Sequence, residues 1–210
     1  MKNSKQKLLV FDLDDTLYKE IDFVKSGYES IIQNLMLPEN TIDNMMTWYF
    51  KGLNVFDLLI INFNLSIDKE NLLDIYRYHY PSLQLPESTK KVLNYFRNSN
   101  QPMSLITDGR SKTQRNKLKS LGILDFFDKI IVSDEIGSSK PCIENYKAVM
   151  SLEFKDYVYI ADNTTKDFIA PSLLKWDTFC LLDNGLNIHK QDLNQLPNET
   201  IKIDCLENLM

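Results

Sequence analysis

Phe11-Asp12-Leu13-Asp14-Asp15-Thr16-Leu17-Tyr18 follows directly on an apolar run, Leu8-Leu9-Val10. The run reads as a strand buried on both faces, and it ends in two carboxylates, Asp12 and Asp14, separated by one residue. In a parallel α/β sheet such a strand ends at the ligand crevice. There one carboxylate can attack an electrophile while the other manages protons. Taken alone, the Asp-x-Asp pattern also suits a solvated turn after a strand, so the rest of the chain has to decide.

Working outward, strand-sized runs recur at residues 103–107, 129–133, 157–161 and 178–182, and the first spans 7–13. Each is rich in Val, Ile, Leu or Phe without strict alternation, as in strands covered on both faces of a parallel sheet. Helical patterns lie between them. Residues 88–98 carry Val92, Leu93 and Phe96, and residues 111–121 open on Ser111 with Gln114 three places on, a capping-box spacing, and stop at Gly122. Pro141 reads as the first residue of a helix running to about residue 150. This alternation predicts an α/β fold with a doubly wound (Rossmann-like) parallel sheet, and residues 200–210 add a sixth strand and a short helix.

Residues 18–86 break the alternation. Ile21, Val24, Tyr28, Ile31, Ile32 and Leu35 have helical spacing, and further helical segments follow at 42–50, 55–63 and 69–80 with no strand between them. The expected organisation is a core of residues 1–17 and 87–210 with an all-helical cap, 18–86, inserted after the first strand. An insert at that point suits a lid over the strand ends.

Bulk properties narrow the function. The chain has 210 residues and a formal net charge of -5, which argues against a nucleic-acid binder. No apolar run is long enough to span a bilayer, and the basic opening Met1–Lys7 meets an apolar run broken by Asp12, which argues against a secretory signal. Cys142, Cys180 and Cys205 are far apart and form no CxxC pair. They read as packed, inert thiols of a cytoplasmic protein.

Three more strand ends carry chemistry. Thr107-Asp108-Gly109 offers a hydroxyl and a glycine turn whose backbone N–H groups suit a phosphate. In Ser138-Ser139-Lys140-Pro141 the proline holds Lys140 extended and aims its ammonium outward from a helix start, where it can neutralise a phosphoryl group. Asp162-Asn163, with Asp167 further on, offers hard oxygen ligands for Mg²⁺. Each has an ordinary alternative as a turn, a surface lysine or a helix-start acid. All four, in this order and at successive strand ends, point to one crevice.

With DLDDT, LITDG, SSKP and the ADNxxxxD segment, the chain resembles the haloacid dehalogenase superfamily over nearly its whole length, and the insert resembles a C1 cap. The resemblance implies Asp12 as nucleophile and Asp14 as general acid/base. It implies Thr107, Asp108 and Gly109 as the phosphate clamp and Lys140 as its cationic partner. Asp12, Asp162 and the backbone carbonyl of Asp14 would hold Mg²⁺, with Asp167 and Asn163 in support. Two departures stand out: Ala161 where relatives often have Gly, and Asp108 where many have Asn.

The implied activity is Mg²⁺-dependent hydrolysis of a small phosphorylated metabolite, a sugar phosphate or nucleoside monophosphate, through an aspartyl-phosphate. Asp14 favours this over dehalogenation, which needs no leaving-group proton donor. A phosphomutase would keep both carboxylates, and a catalytically silent binding module could keep the fold. In the cap, Tyr18 and Trp48 are the candidates for facing substrate, while most other aromatics read as cap core. The charged stretch 111–119 reads as a solvated helix face, and His79 and His189 as lone residues. The sequence does not indicate an oligomeric state.

Overall fold

The computed structural model describes residues 6–210. Residues 1–5 of the basic opening Met1–Lys7 lie outside the described residues. The chain divides into two units, one of the residues up to Glu20 with Gln84–Met210, the other Ile21–Leu83.

The first unit is an α/β sheet with flanking helices. Its strands are β1 (Gln6–Phe11), β2 (Met103–Thr107), β3 (Lys129–Val132), β4 (Phe154–Ala161), β5 (Asp177–Leu181) and β6 (Ile201–Ile203). They form one sheet in the order β3-β2-β1-β4-β5-β6, all pairings parallel. The expected doubly wound architecture is therefore present. β1 is central: Leu9 pairs with Met103 of β2 on one side and Val158 of β4 on the other. Every residue of β2 is buried, as are the last five of β4, so these strands show no alternation of buried and exposed residues. One face of the sheet packs Leu8, Val10, Ile106, Tyr159 and Ala161 with Tyr146, Phe168 and Trp176. The strand order reverses between β1 and β4, and ligands of such sheets bind in the crevice at that point, beyond the carboxyl ends of the strands.

The helical unit contains most of α1 (Glu20–Asn34), then α2 (Thr41–Phe50), α3 (Val55–Phe63) and α4 (Lys69–Tyr78). Asn54 and Asp68 cap α3 and α4 by accepting from the backbone N–H groups of Asp57 and Asn71. The centre is aromatic: Tyr76 meets the rings of Phe23, Tyr28 and Phe56 at centroid distances of 5.6, 5.8 and 5.6 Å. α1 meets α4 so closely there that a Cβ on Gly27 would lie 2.4 Å from the Tyr76 ring. Trp48 is a half-buried residue of α2.

The core helices are α5 (Glu87–Asn98), α6 (Ser111–Ser120), α7 (Ser133–Ile136), α8 (Ile143–Lys147) and α9 (Ile169–Leu173). Two local expectations fail. Pro141 does not open a helix: it follows a cis peptide bond, and α8 is only the short segment Ile143–Lys147. The capping box of α6 does not form either, because Arg110 takes the cap position, Ser111 Oγ donates to Glu135 and Gln114 turns inward. The thiols are all free, but Cys142 is exposed rather than packed. No helix among the described residues is long and apolar enough to cross a membrane.

Candidate active site

Asp12 is the first residue beyond β1, and its backbone N–H donates to Ile160 of β4 at 2.9 Å. That bond places it at the reversal point of the sheet. Lys140 Nζ reaches Asp12 Oδ1 at 2.5 Å and Asp167 Oδ1 at 2.7 Å. Thr16, which the sequence reading passed over, donates its hydroxyl towards Asp12 at 3.2 Å and Asp162 at 3.3 Å. All of these side chains are buried. Lys140 is thus turned inward, contrary to the outward aim expected of it. Two buried carboxylates hold it there, and a buried ammonium group needs such partners.

Asp14 goes a different way. The chain turns through Asp15 at φ 58°, and Asp14 faces a separate set of donors. Tyr18 Oη donates to its Oδ1 at 2.5 Å, Lys117 Nζ reaches the same oxygen at 2.7 Å, and Gln114 Nε2 donates to Oδ2 at 2.8 Å. Tyr18 is therefore a buried partner of Asp14 in the sheet unit rather than a residue of the cap. Lys117 corrects the reading of 111–119 as a solvated face, because its side chain is only 3% exposed.

The phosphate-clamp candidates adjoin this set. The Gln114 amide nitrogen also lies 2.5 Å from Thr107 Oγ1 and 2.8 Å from the Asp108 carbonyl, so its two N–H groups are shared among these oxygens and Asp14. Gly109 has φ 135°, a conformation other residues rarely adopt, and its N–H donates to Ser133 Oγ at 2.9 Å. The Asp108 carboxylate accepts from the Lys140 backbone N–H and from Lys166 Nζ, both at 3.0 Å. The extra charge of Asp108 is thus met by a lysine the sequence reading did not select.

Electrostatics separate the two carboxylates of the Asp-x-Asp pair. Burial raises Asp12 to about 7 against the attraction of Lys140, with Asp167 pushing the same way. Asp14 ends below the usual carboxylate range: burial opposes ionisation, but Lys117 and the donated hydrogen bonds outweigh it. Asp162 is pushed up to about 9 by burial, then by Asp12 and Asp167. Lys140 is held well above the ordinary lysine value, its carboxylate neighbours overcoming burial.

A model of the family described as "Haloacid dehalogenase-like hydrolase" matches residues 9–175. The chain belongs to the haloacid dehalogenase-like hydrolase family. Among its curated relatives, glyceraldehyde 3-phosphate phosphatase of Methanocaldococcus jannaschii is 30% identical over 178 residues, covering 77% of this chain and 78% of the relative. Phosphoglycolate phosphatase of Photobacterium profundum is 22% identical over 147 residues, 64% of each chain. Among solved structures, the magnesium-bound HAD-hydrolase YfnB of Bacillus subtilis superposes with a TM-score of 0.72 at 20% identity, covering 98% of this chain and 97% of that one.

Within this haloacid dehalogenase-like fold, carboxylate oxygens of Asp12, Asp162 and Asp167 lie within 4.8 Å of one another, all buried. Three buried carboxylates share Lys140 as their buried cation, and two of them are pushed upward by burial and mutual repulsion. This donor set fits a hard divalent cation, which supplies the missing charge. Asp167 belongs to this carboxylate group. Its Oδ2 accepts the Asn163 backbone N–H at 3.1 Å, while the Asn163 side chain accepts from Thr165. The loop after β5 holds Asp162 from the far side: Asn187 donates to Oδ2 at 2.8 Å and Gln191 to the main-chain carbonyl at 2.7 Å. Asp12, Asp14 and Asp162 line an acidic recess of about 120 Å³, with Lys166 and His189 on its wall. His189 thus borders the site, while His79 bonds Tyr76 and Ser26 in the helical unit.

Lys117, Gln114, Thr16, Lys166 and Asn187 were missed from sequence. Only the first two left a signal. Gln114, Lys117, Leu118 and Leu121 have the spacing of one helix face, and all four are buried.

Proposed function

We propose that this haloacid dehalogenase-family phosphatase hydrolyses a small sugar-type phosphomonoester, with the phosphoryl group carried transiently on Asp12. The observation that carries the reading is the division of labour at the end of β1. Asp12 is paired with Lys140, whereas Asp14, from the same octapeptide, is paired with Lys117. A nucleophile and an acid/base must differ in their surroundings to do different work.

Thr107 and the backbone N–H groups of Asp108 and Gly109 hold the phosphoryl oxygens, Gly109 exchanging its bond to Ser133 Oγ for one to phosphate, and Lys140 offsets their charge. An ionised Asp12 oxygen bonds to phosphorus as the ester P–O bond breaks, and Asp14, ionised at rest, takes up a proton from solvent and passes it to the departing oxygen. Asp14 then takes a proton from water, the water oxygen bonds to phosphorus, and the bond to Asp12 breaks to release orthophosphate. Mg²⁺ held by Asp12, Asp162 and the Asp14 carbonyl, supported by Asp167 and Asn163, neutralises the phosphoryl oxygens when bound. The helical unit inserted after β1 acts as the cap and selects substrate, Trp48 being its candidate contact. The names of the curated relatives, glyceraldehyde 3-phosphate and phosphoglycolate phosphatase, support a two- or three-carbon phosphate.

The test is orthophosphate release by the purified protein with Mg²⁺ across triose phosphates, 2-phosphoglycolate, larger sugar phosphates and nucleoside monophosphates, compared by kcat/KM. EDTA and Asp12→Asn should each abolish release. Failure to release phosphate from any of these esters overturns the reading, and migration of the phosphoryl group along a sugar without release indicates a mutase.

A further inference from the structure

Four cations lie along α6: Lys112, Arg115, Lys117 and Lys119. Lys112 and Lys119 are exposed and Arg115 is half-buried against Glu135, but Lys117 is buried. Burying an ammonium group is costly unless its partners repay the loss of water. Lys117 meets Asp14 at 2.7 Å and, further off, Glu20 at 3.6 Å. One turn earlier on the same face, Gln114 donates to the other oxygen of Asp14. Neither side chain belongs to the motifs that name the reaction.

We propose that Lys117 and Gln114 are positioning residues that fix the plane of the Asp14 carboxylate and tie it to the phosphate clamp. The proposal rests on the phosphatase reading above. Donors on both oxygens, with Tyr18 on the Lys117 side, leave Asp14 one orientation. The Gln114 amide that fixes Oδ2 also reaches Thr107 Oγ1 and the Asp108 carbonyl. The glycine turn permits this approach, since a Cβ on Gly109 would lie 3.2 Å from Gln114 Cδ. α6 starts at the clamp and returns to the acid/base, so one rigid element sets the distance between the phosphoryl group and its proton donor. General acid catalysis depends on that distance.

The inference is tested with a leaving-group series. An aryl ester such as p-nitrophenyl phosphate leaves with little proton assistance, whereas an alkyl ester needs the proton that Asp14 must take up and deliver. The readout is the ratio of kcat/KM for the alkyl ester to that for the aryl ester. Asp14→Asn sets the ratio for complete loss of the proton donor. Lys117→Met and Gln114→Leu should each lower the ratio at least about tenfold, within the range general acids contribute, and Lys117→Arg should recover part of it. Gln114→Leu changes no charge, and it keeps the test decisive if Lys117→Met does not fold. Equal fractional losses on both esters, or no loss on either, overturn the inference and leave the phosphatase reading standing. Failure of the unmodified protein to hydrolyse either ester overturns both.

Discussion

Lys140 lies between Asp12 and Asp167 with 1% of its side chain exposed. Lys140→Met leaves two buried carboxylates without their cation, and breaking such a pair costs about 3–5 kcal/mol. Urea unfolding should show the loss, and Asp12→Asn in the same chain should return part of it, because neighbouring groups are not additive. Asp108 and Lys166 are partly exposed, so their pair adds little to stability. Its expected effect is on binding. Lys166→Met bares the Asp108 charge beside the phosphate clamp and should raise KM for a phosphomonoester, whereas Asp108→Asn added to it should restore KM. A KM raised equally in the single and double variants would show that Lys166 acts otherwise. Residues at this scale were unevenly legible in the sequence. The motif residues of the four strand ends stand out because strand ends advertise themselves. Lys166 and Asn187 do not, because a lone polar residue in sequence is a surface residue until a tertiary partner buries it.

Secondary structure was more legible. Buried parallel strands are continuous apolar runs, so Met103–Thr107 and its neighbours appear almost at their observed bounds. The helix expected from Pro141 failed because a proline can open a helix or make a turn, and here the chain brings Lys140 in to Asp12 and Asp167. The contact of α1 with α4 gives an element-scale prediction. Gly27→Ala would place a methyl group within 2.4 Å of the Tyr76 ring, and overpacking of this kind costs about 1–3 kcal/mol. Thermal unfolding should fall accordingly, while Tyr76→Leu in the same chain should relieve the clash. A melting temperature unchanged by Gly27→Ala would mean that the ring moves aside without loss.

For the whole molecule, the buried acids make stability depend on pH and metal together. Asp12 and Asp162 have folded values of about 7 and 9 against an ordinary 3.8. Between about pH 4 and 9 the folded chain therefore holds more protons than the unfolded one, and metal-free stability falls as pH rises through that window. A divalent cation must displace those protons, so its affinity rises with pH. In EDTA, Tm should drop from pH 6 to pH 8, and the increment in Tm from added Mg²⁺ should be larger at pH 8. A Mg²⁺ increment independent of pH would exclude these acids as its ligands.

The central place of β1 also bears on how the protein comes into being. Leu8 to Phe11 are made before either partner strand: one neighbour, β2, begins at Met103 and the other, β4, ends at Ala161. During synthesis this apolar strand has no partner until the chain has grown through the helical unit and most of the sheet. Contacts so distant in sequence form slowly. A chain stopped before Phe154 therefore lacks one flank of its middle strand, and it presents to chaperones and to other nascent copies the surface that the finished enzyme keeps innermost.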